Sequence, residues 1–305
     1  MRAGVGIEVC ELVRDFGDRR VLHEVSFPVR PGRVTGFVGA NGAGKTTTMR
    51  IVMGVLSATS GAVREDGQPV TVEQRRAFGY LPEERGLYPK MRVGEQLRYF
   101  ARLHGVDRSA AATRTSALLE RLELASRADD VLETLSLGNQ QRAQIAAALV
   151  HDPTALILDE PFSGLDPLAV DVLAELLRER VEDGVPLLFS SHQLELVERL
   201  CDDLVILNHG RVVAAGSVDE LRRSGGKAYE LHVQAGSDLD WVGAMPSVRM
   251  VALRRGTDGD QVAASELGRA DAEQEVLREA MRRGPVRELR RHTATVAEIF
   301  RESVQ

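Results

Sequence analysis

The stretch GANGAGKT, residues 39–46, decides the fold of this chain of 305 residues. It matches the phosphate-loop pattern G-x-x-x-x-G-K-[ST]. The apolar run VTGFVG leads into it, and TTTMRIVMGVL follows it with apolar residues at helical spacing. A strand, a glycine-rich loop and a helix in this order form the context that the motif requires, whereas a chance match in a glycine-rich turn would lack it.

The residue types in this loop suit a chain of phosphate groups. Its glycines permit unusual dihedrals and let successive backbone amides approach phosphate oxygens. Lys45 supplies a positive charge for the β- and γ-phosphates, and the hydroxyl of Thr46 can ligate Mg²⁺. We therefore expect the following residues to bind the phosphates: Gly39, Asn41, Gly42, Ala43, Gly44, Lys45, Thr46 and Thr47.

Two carboxylates follow a second apolar run, in ALILDEP at residues 155–161. Asp159 is expected to hold Mg²⁺ through water, and Glu160 to polarise an attacking water. An isolated acidic pair usually lies in a solvated turn, but four apolar residues in front of this pair favour burial. His192 follows the run VPLLFSS and would reach the γ-phosphate from a neighbouring strand end, although a lone histidine there is more often a packing residue.

Composition and charge limit the classes of function. Hydrophobic residues make up 43% of the chain and charged residues 28%, which is ordinary for a globular protein. A net charge of -6 gives no support for nucleic-acid binding. Cys10 and Cys201 lack metal-ligand spacing and are interpreted as reduced thiols of a cytosolic protein. No secretory signal and no apolar run of roughly 20 residues is present, so any membrane role is expected to come through a partner.

The patterns along the chain predict two domains. Alternating strand and helix patterns predict an α/β core with a mainly parallel sheet, and the helical pattern that begins at Val93 predicts a helical subdomain over about residues 90–150. SGGK at residues 224–227 is interpreted as a linker. Beyond it, strand, helix, strand, strand, helix and strand predict a small α+β ferredoxin-like domain. We expect domains at 1–223 and 227–305, the second an accessory or regulatory module or, alternatively, a passive extension.

The order of GANGAGKT, LSLGNQQR (residues 135–142), ALILDEP, SGLDP and SSH resembles the nucleotide-binding subunit of ATP-binding cassette transporters. The resemblance covers roughly residues 5–220. It implies a P-loop NTPase fold, ATP and Mg²⁺ as ligands, and catalytic roles for Lys45, Glu160 and His192. It also implies that Phe16 stacks on adenine and that Thr46, Glu83 and Asp159 bind or sense Mg²⁺. Ser136 and Gly138 would close over the γ-phosphate held by a second subunit, and Asp166 would belong to the loop between the two nucleotide sites.

The resemblance further implies partners. The stretch LSLGNQQR corresponds to the signature turn of the family. In the family's head-to-tail dimer, each ATP lies between one subunit's phosphate loop and the signature turn of the other. One expected partner is a second nucleotide-binding subunit, a copy of this chain or, alternatively, a different chain. The others are separate transmembrane permease subunits, which would place this chain at the cytoplasmic face of the membrane; the free chain would be cytosolic. The segment ERGLYPKMRVGEQ, residues 84–96, is where the family docks a permease, with Tyr88 and Pro89 as candidate contacts; an ordinary surface loop is the alternative.

Two departures from the family pattern bear on function. Leu137 and Asn139 replace a glycine and a glutamine of the signature, and we expect function to survive with Leu137 pointing away from the nucleotide. Glu83 replaces the usual glutamine and is expected to tune turnover without abolishing it.

These features and the small second domain resemble ATPases of two-component bacterial exporters for drugs, sodium or lipids. The alternative is a soluble cassette ATPase of ribosomes or nucleic acid, which usually has two cassettes or long coiled-coil arms.

Overall fold

The structure is a computed structural model that describes residues 6–84, 86–224, 228–234, 237–246, 248–255, 260–269 and 272–304. The chain divides into two compact units, Met1–Val218 with Glu302–Gln305, and Asp219–Arg301. Residues 225–227 of the predicted linker lie outside the described residues. The predicted domain limits of 1–223 and 227–305 therefore remain a prediction.

Strands and helices alternate along most of the first unit. Its strands are β1 (Ile7–Phe16), β2 (Arg19–Val29), β3 (Val34–Val38), β4 (Ser60–Glu65), β5 (Gln68–Pro69), β6 (Phe78–Leu81), β7 (Ala155–Leu158), β8 (Leu187–Ser190), β9 (Asp203–Asn208) and β10 (Arg211–Ser217). Its helices are α1 (Lys45–Val52), α2 (Val72–Arg76), α3 (Val93–Leu103), α4 (Arg108–Arg121), α5 (Leu137–Leu149), α6 (Pro167–Glu182) and α7 (Leu194–Leu200), and α8 (Val218–Ser224) begins at the unit's end. No helix in the described ranges combines the length and the apolar character that a membrane span needs.

The central sheet has the strand order β10-β9-β3-β8-β7-β6 and is parallel except where β9 pairs with β10. Every residue of β3, β7 and β8 is buried, because these strands are covered on both faces, and for this reason they are apolar runs in the sequence. The predicted mainly parallel sheet is confirmed. Since parallel neighbours end at the same edge, the segments that follow β3, β7 and β8 meet there.

A second, antiparallel sheet has the order β2-β1-β4-β5. One hydrophobic core joins it to the parallel sheet and α1, as the ring contact between Phe27 of β2 and Phe37 of β3 shows, with centroids 5.1 Å apart. The strands β4 and β5 form a hairpin, in which Arg64 pairs with Pro69.

The helical subdomain contains α3, α4 and α5. The helical pattern predicted from Val93 is interrupted, because Gly105 takes a left-handed conformation with φ +83° and Asp107 caps a new helix. The Asp107 carboxylate accepts hydrogen bonds from the amides of Ser109 at 2.9 Å and Ala110 at 3.0 Å.

The second unit has the predicted ferredoxin-like order of elements. They are β11 (Ala228–Val233), α9 (Asp240–Ala244), β12 (Val248–Arg255), β13 (Gln261–Leu267), α10 (Ala272–Arg283) and β14 (Val286–Arg291). A last helix, α11 (Val296–Val304), follows them, and its residues from Glu302 onward are assigned to the first unit. Its antiparallel sheet has the order β12-β13-β11-β14, in which the first and third strands of the unit lie in the centre. That order is the ferredoxin-like topology, so the prediction is confirmed.

Candidate functional site

The phosphate-loop motif connects β3 to α1 at the carboxyl edge of the parallel sheet. Gly44 precedes the helix with φ +109°, and a Cβ atom there would approach Leu22 Cδ2 to 2.6 Å. Glycine is therefore required at this position. Among the residues that the structure describes, no side chain caps the amino end of α1, so its first amides are open to an anionic group.

Lys45 and Thr46 begin α1 and point to different partners. Lys45 is 9% exposed, and its Nζ donates hydrogen bonds to the carbonyl oxygens of Gly39 at 2.7 Å and Ala40 at 3.3 Å. The Thr46 hydroxyl donates to Glu83 Oε2 at 3.4 Å. The structure therefore brings together two of the three residues that the sequence suggests for Mg²⁺.

Asp159 is the third of these residues and follows β7. It is 1% exposed, and its amide donates to the carbonyl of Leu81 at 2.8 Å, beside the segment that leads to Glu83. Its Oδ1 accepts a hydrogen bond from the Ser190 hydroxyl at 2.5 Å, whereas its Oδ2 is buried without a hydrogen-bond partner in the described part of the chain. A bare buried carboxylate oxygen is costly unless a cation or its water shell satisfies it.

The side-chain oxygens of Thr46, Glu83 and Asp159 are suitable ligands for Mg²⁺. The described residues contain no group of three or more His, Cys, Asp or Glu side chains that could hold a metal ion. A set of one hydroxyl and two carboxylates leaves positions for water and phosphate oxygens, which is how Mg²⁺ is usually bound with nucleotides.

Glu160 and His192 form a pair at the same sheet edge. His192 Nδ1 lies 2.9 Å from Glu160 Oε2, and the His192 side chain is 61% exposed, which argues against a packing role. Burial raises the pKa of the Glu160 carboxyl above its ordinary value, while the charges of His192 and Lys45 oppose the increase. A raised pKa makes Glu160 a stronger proton acceptor than an exposed glutamate.

The signature turn opens α5. The Ser136 hydroxyl accepts a hydrogen bond from the amide of Asn139 at 3.4 Å, so Ser136 caps the helix. Leu137 is 62% exposed, and a Cβ atom on Gly138 would lie 3.1 Å from the carbonyl oxygen of Gly164. Within the described residues, no hydrogen bond joins Ser136 or Gly138 to the phosphate loop of the same chain.

Two further predicted residues lie at element ends. Phe16 ends β1 with 47% exposure, and the Arg14 guanidinium lies 4.5 Å from its ring centroid. The Asp166 carboxylate caps α6 by accepting a hydrogen bond from the amide of Ala169 at 3.0 Å, and it also forms an ion pair with Arg142 at 3.4 Å. Roles of Phe16 in binding adenine and of Asp166 in linking two sites remain predictions.

Two residues of this site, Ser190 and Gln141, were not predicted from the sequence. Ser190 contacts both carboxylate residues, since its hydroxyl also accepts the Glu160 amide at 2.9 Å. Gln141 of α5 donates from Nε2 to the carbonyl oxygens of Glu160 at 3.3 Å and Pro161 at 2.9 Å. The signal for Ser190 was its place at the end of an apolar run, two residues before His192.

Comparisons with known proteins agree with this geometry. A family profile described as "ABC transporter" matches residues 22–163, and one described as "ATP-binding protein DrrA1-3-like, C-terminal domain" matches residues 216–304. The uncharacterized ABC transporter ATP-binding protein YhaQ of Bacillus subtilis (strain 168) is 37% identical over 298 residues, which are 98% of each chain. The Nod factor export ATP-binding protein I of Cupriavidus metallidurans (strain ATCC 43123 / DSM 2839 / NBRC 102507 / CH34) is 38% identical over 209 residues, 68% of this chain and 69% of that protein.

Solved structures have the same fold. One described as the ATP binding subunit of an ABC transporter has a TM-score of 0.68 and 36% identity, covering 72% of this chain and 92% of that chain. CbiO1 of Clostridium perfringens, part of the ABC transporter complex cbiONQ, has a TM-score of 0.62 and 28% identity, with coverage of 70% and 89%. With a phosphate loop, two carboxylates and a histidine at one sheet edge, the chain belongs to the ABC transporter family, as an ATP-binding subunit that hydrolyses ATP.

Proposed function

We propose that this chain is the ATPase of an exporter and couples the closure of two ATP-binding subunits to substrate movement through separate permease subunits. The observation that carries the proposal is the meeting of Lys45, Asp159 and the Glu160–His192 pair at the end of the parallel sheet. Export is supported by the relatives that carry the name Nod factor export ATP-binding protein I.

In this proposal the phosphate loop and the amino end of α1 bind the ATP phosphates. Thr46, Glu83 and Asp159 would hold Mg²⁺, and Asp159 offers its buried Oδ2, which has no hydrogen-bond partner among the described residues. When bound, Mg²⁺ neutralises phosphate charge. The residues assigned to the nucleotide are Phe16, Gly39, Asn41, Gly42, Ala43, Gly44, Lys45, Thr46, Thr47, Ser136, Gly138 and Asp166.

Hydrolysis requires a base near the terminal phosphate. Glu160 accepts a proton from the attacking water, and its burial keeps its pKa raised toward the working pH. His192 holds the Glu160 carboxylate through its contact at 2.9 Å and presents its ring to the terminal phosphate. Lys45 stabilises the charge on the β- and γ-phosphates.

The signature turn is assigned to the ATP of a second copy. The amino end of α5 is a suitable anion site, because the first amides of a helix attract negative charge and the Ser136 hydroxyl, whose oxygen accepts from the Asn139 amide, still has a hydrogen to donate. In a head-to-tail pair, each subunit would complete the other's site, so two ATP molecules would be buried in one two-fold interface. Hydrolysis would remove phosphate contacts and allow the pair to open.

The proposed permease-docking surface is a cluster of the aromatic rings of Tyr88, Tyr99 and Phe100, in which both tyrosines are exposed, together with the exposed Leu103 of α3. The rings of Tyr88 and Phe100 stack with centroids 6.1 Å apart, and Tyr88 and Leu103 are 53% and 62% exposed. The Gln96 side chain fixes the segment around Tyr88, because its Oε1 accepts a hydrogen bond from the Tyr88 amide at 2.6 Å. Exposed apolar groups that cluster in this way mark interaction surfaces, so Tyr88 and Pro89 would meet a permease at the cytoplasmic face of the membrane.

The proposal is tested with Glu160→Gln and Lys45→Ala. Glu160→Gln should bind ATP with near wild-type affinity, lose at least about 100-fold in turnover, and accumulate as a dimer with ATP, because it lacks only the base. Lys45→Ala should lose ATP binding itself. Phosphate release, equilibrium dialysis with labelled ATP and size-exclusion chromatography measure the three properties. Wild-type turnover by Glu160→Gln would refute the assignment of the base.

Export needs a separate measurement. A permease that co-purifies with the chain should be reconstituted with it in vesicles, and ATP should drive substrate away from the side that carries the ATPase. Substitution of Tyr88 by Glu should abolish co-purification while ATP binding by the free subunit persists. Transport toward the ATPase side would contradict the assignment of export.

A further inference from the structure

We infer that Ser190 is a positioning residue for ATP hydrolysis, whose single hydroxyl fixes both Asp159 and Glu160. The inference rests on the proposed function of these two carboxylates. Ser190 ends β8, next to the end of β7, and is completely buried.

The hydrogen bonds of Ser190 have a defined direction. The amide of Glu160 can only donate, so the Ser190 oxygen accepts this bond, which is 2.9 Å long. The hydroxyl hydrogen is then free for the Asp159 carboxylate, and the Ser190 Oγ to Asp159 Oδ1 distance is 2.5 Å. A hydroxyl bonded to a carboxylate makes a short and strong hydrogen bond.

At Asp159, this contact decides which oxygen is left for other ligands. Oδ1 is occupied by Ser190, and Oδ2 is buried and has no hydrogen-bond partner in the described ranges. With the carboxylate fixed in this rotamer, Oδ2 is the oxygen that would face the water shell of Mg²⁺. Loss of the Ser190 hydroxyl would allow the carboxylate to rotate and weaken that contact.

At Glu160, the same hydroxyl restrains an unfavourable backbone. Glu160 has φ +52°, a conformation that is uncommon for residues other than glycine and persists only where neighbours fix it. Its amide is held by Ser190, and its carbonyl accepts a hydrogen bond from Gln141 Nε2 at 3.3 Å. This backbone directs the Glu160 side chain to His192 Nδ1.

Ser191 provides a matched control. It is 2% exposed, and its hydroxyl accepts the Gln193 amide at 3.0 Å. Ser191→Ala therefore removes an equally buried hydroxyl that has a purely local contact. Ser190→Thr keeps the hydroxyl, whereas Ser190→Ala and Ser190→Cys remove it or replace it by a weak donor.

The experiment compares these variants of the full chain in two assays. In nucleotide-free protein, hydrogen exchange followed by mass spectrometry should show faster exchange at the Glu160 amide in Ser190→Ala but not in Ser191→Ala. At saturating ATP, Ser190→Ala should need about tenfold more free Mg²⁺ for half-maximal hydrolysis and lose about tenfold in kcat. Ser190→Thr should restore both values, and Ser190→Cys should resemble Ser190→Ala.

Several outcomes would overturn the inference. One is wild-type exchange and Mg²⁺ dependence in Ser190→Ala. Another is an equal effect of Ser191→Ala, which would indicate a general loss of packing. If Ser190→Ala does not fold, Ser190→Cys provides the same comparison, and its wild-type Mg²⁺ dependence would be decisive. Hydrolysis that depends on Glu160 but not on Ser190 would refute only this inference, whereas hydrolysis independent of Glu160 would refute the proposed function.

Discussion

At the scale of single residues, a substitution of Glu83 tests how charge at the proposed Mg²⁺ site affects the rate of ATP hydrolysis. Its carboxylate lies 3.4 Å from the Thr46 hydroxyl, so Glu83→Gln removes a negative charge beside the proposed cation. Weaker attraction to Mg²⁺ and weaker repulsion of the γ-phosphate oppose each other. We expect Glu83→Gln to keep more than about one tenth of wild-type kcat while its half-saturating Mg²⁺ concentration rises. A steady-state phosphate-release assay across Mg²⁺ concentrations measures both, and a larger loss of kcat would contradict the prediction.

The buried ring of His151 makes the free energy of unfolding depend on pH. Its ring stacks on His104 with centroids 3.9 Å apart, its Nε2 contacts the Phe78 carbonyl at 3.2 Å, and burial, followed by the charge of His104, lowers its pKa to about 4. Because the unfolded chain binds this proton near pH 6.5 and the folded chain does not, stability falls as pH decreases from about 6.5 to about 4 and is unaffected above that range.

The matching variant is His151→Gln, which keeps a donor for the Phe78 carbonyl but cannot titrate. Between roughly pH 7 and pH 4.5, the wild-type chain should lose up to about 3 kcal/mol more unfolding free energy than His151→Gln. Urea denaturation at several pH values measures the difference. Parallel pH profiles for the two chains would contradict the prediction.

Local motifs predicted some residues well and others poorly. Lys45 and Thr46 are encoded within one loop, and their position at the start of a helix follows from the motif itself. Ser190 is different, because its contact with Asp159 depends on the pairing of β7 with β8, 31 residues apart. A side-chain rotamer and a strand pairing decide that contact, and neither has a local pattern.

At the scale of elements, α5 shows how a departure from the family signature can be tolerated. Leu137 begins this helix and is 62% exposed, so its side chain has no packing role in the isolated chain. We expect Leu137→Gly to keep hydrolysis within about twofold of wild type and to lower the unfolding free energy by less than about 1 kcal/mol, which is the cost of glycine in a helix. Ser136→Ala is the comparison and should lose activity. A several-fold gain for Leu137→Gly would mean that the leucine obstructs the site.

The bounds of an element follow from the sequence best where side chains mark them. The helix α6 begins at Pro167, because Asp166 caps it and proline occupies its first turn. In the second unit, β13 continues to Leu267, beyond the apolar run that ends at Ala264. Pairing on both sides, with β11 and β12, extends this strand through polar residues that the apolar pattern excludes.

At the scale of the whole molecule, two alternative assemblies can be separated by mixing inactive chains. If one ATP is shared by two copies, Lys45→Ala inactivates a subunit's own phosphate loop, and Ser136→Arg inactivates the site of its partner. A mixed pair would then contain one complete site, formed by the phosphate loop of the Ser136→Arg chain and the signature turn of the Lys45→Ala chain. If each chain instead works alone, mixing restores nothing.

The two chains should be co-expressed with different tags, and mixed pairs purified over both. We expect each variant alone to be inactive and the mixed pair to reach about half of wild-type phosphate release, since one of its two sites is complete. A chain that carries both substitutions, paired with Lys45→Ala, is the control and should stay inactive because neither site has a phosphate-loop lysine. An inactive mixed pair, or full activity of Ser136→Arg alone, would exclude shared sites.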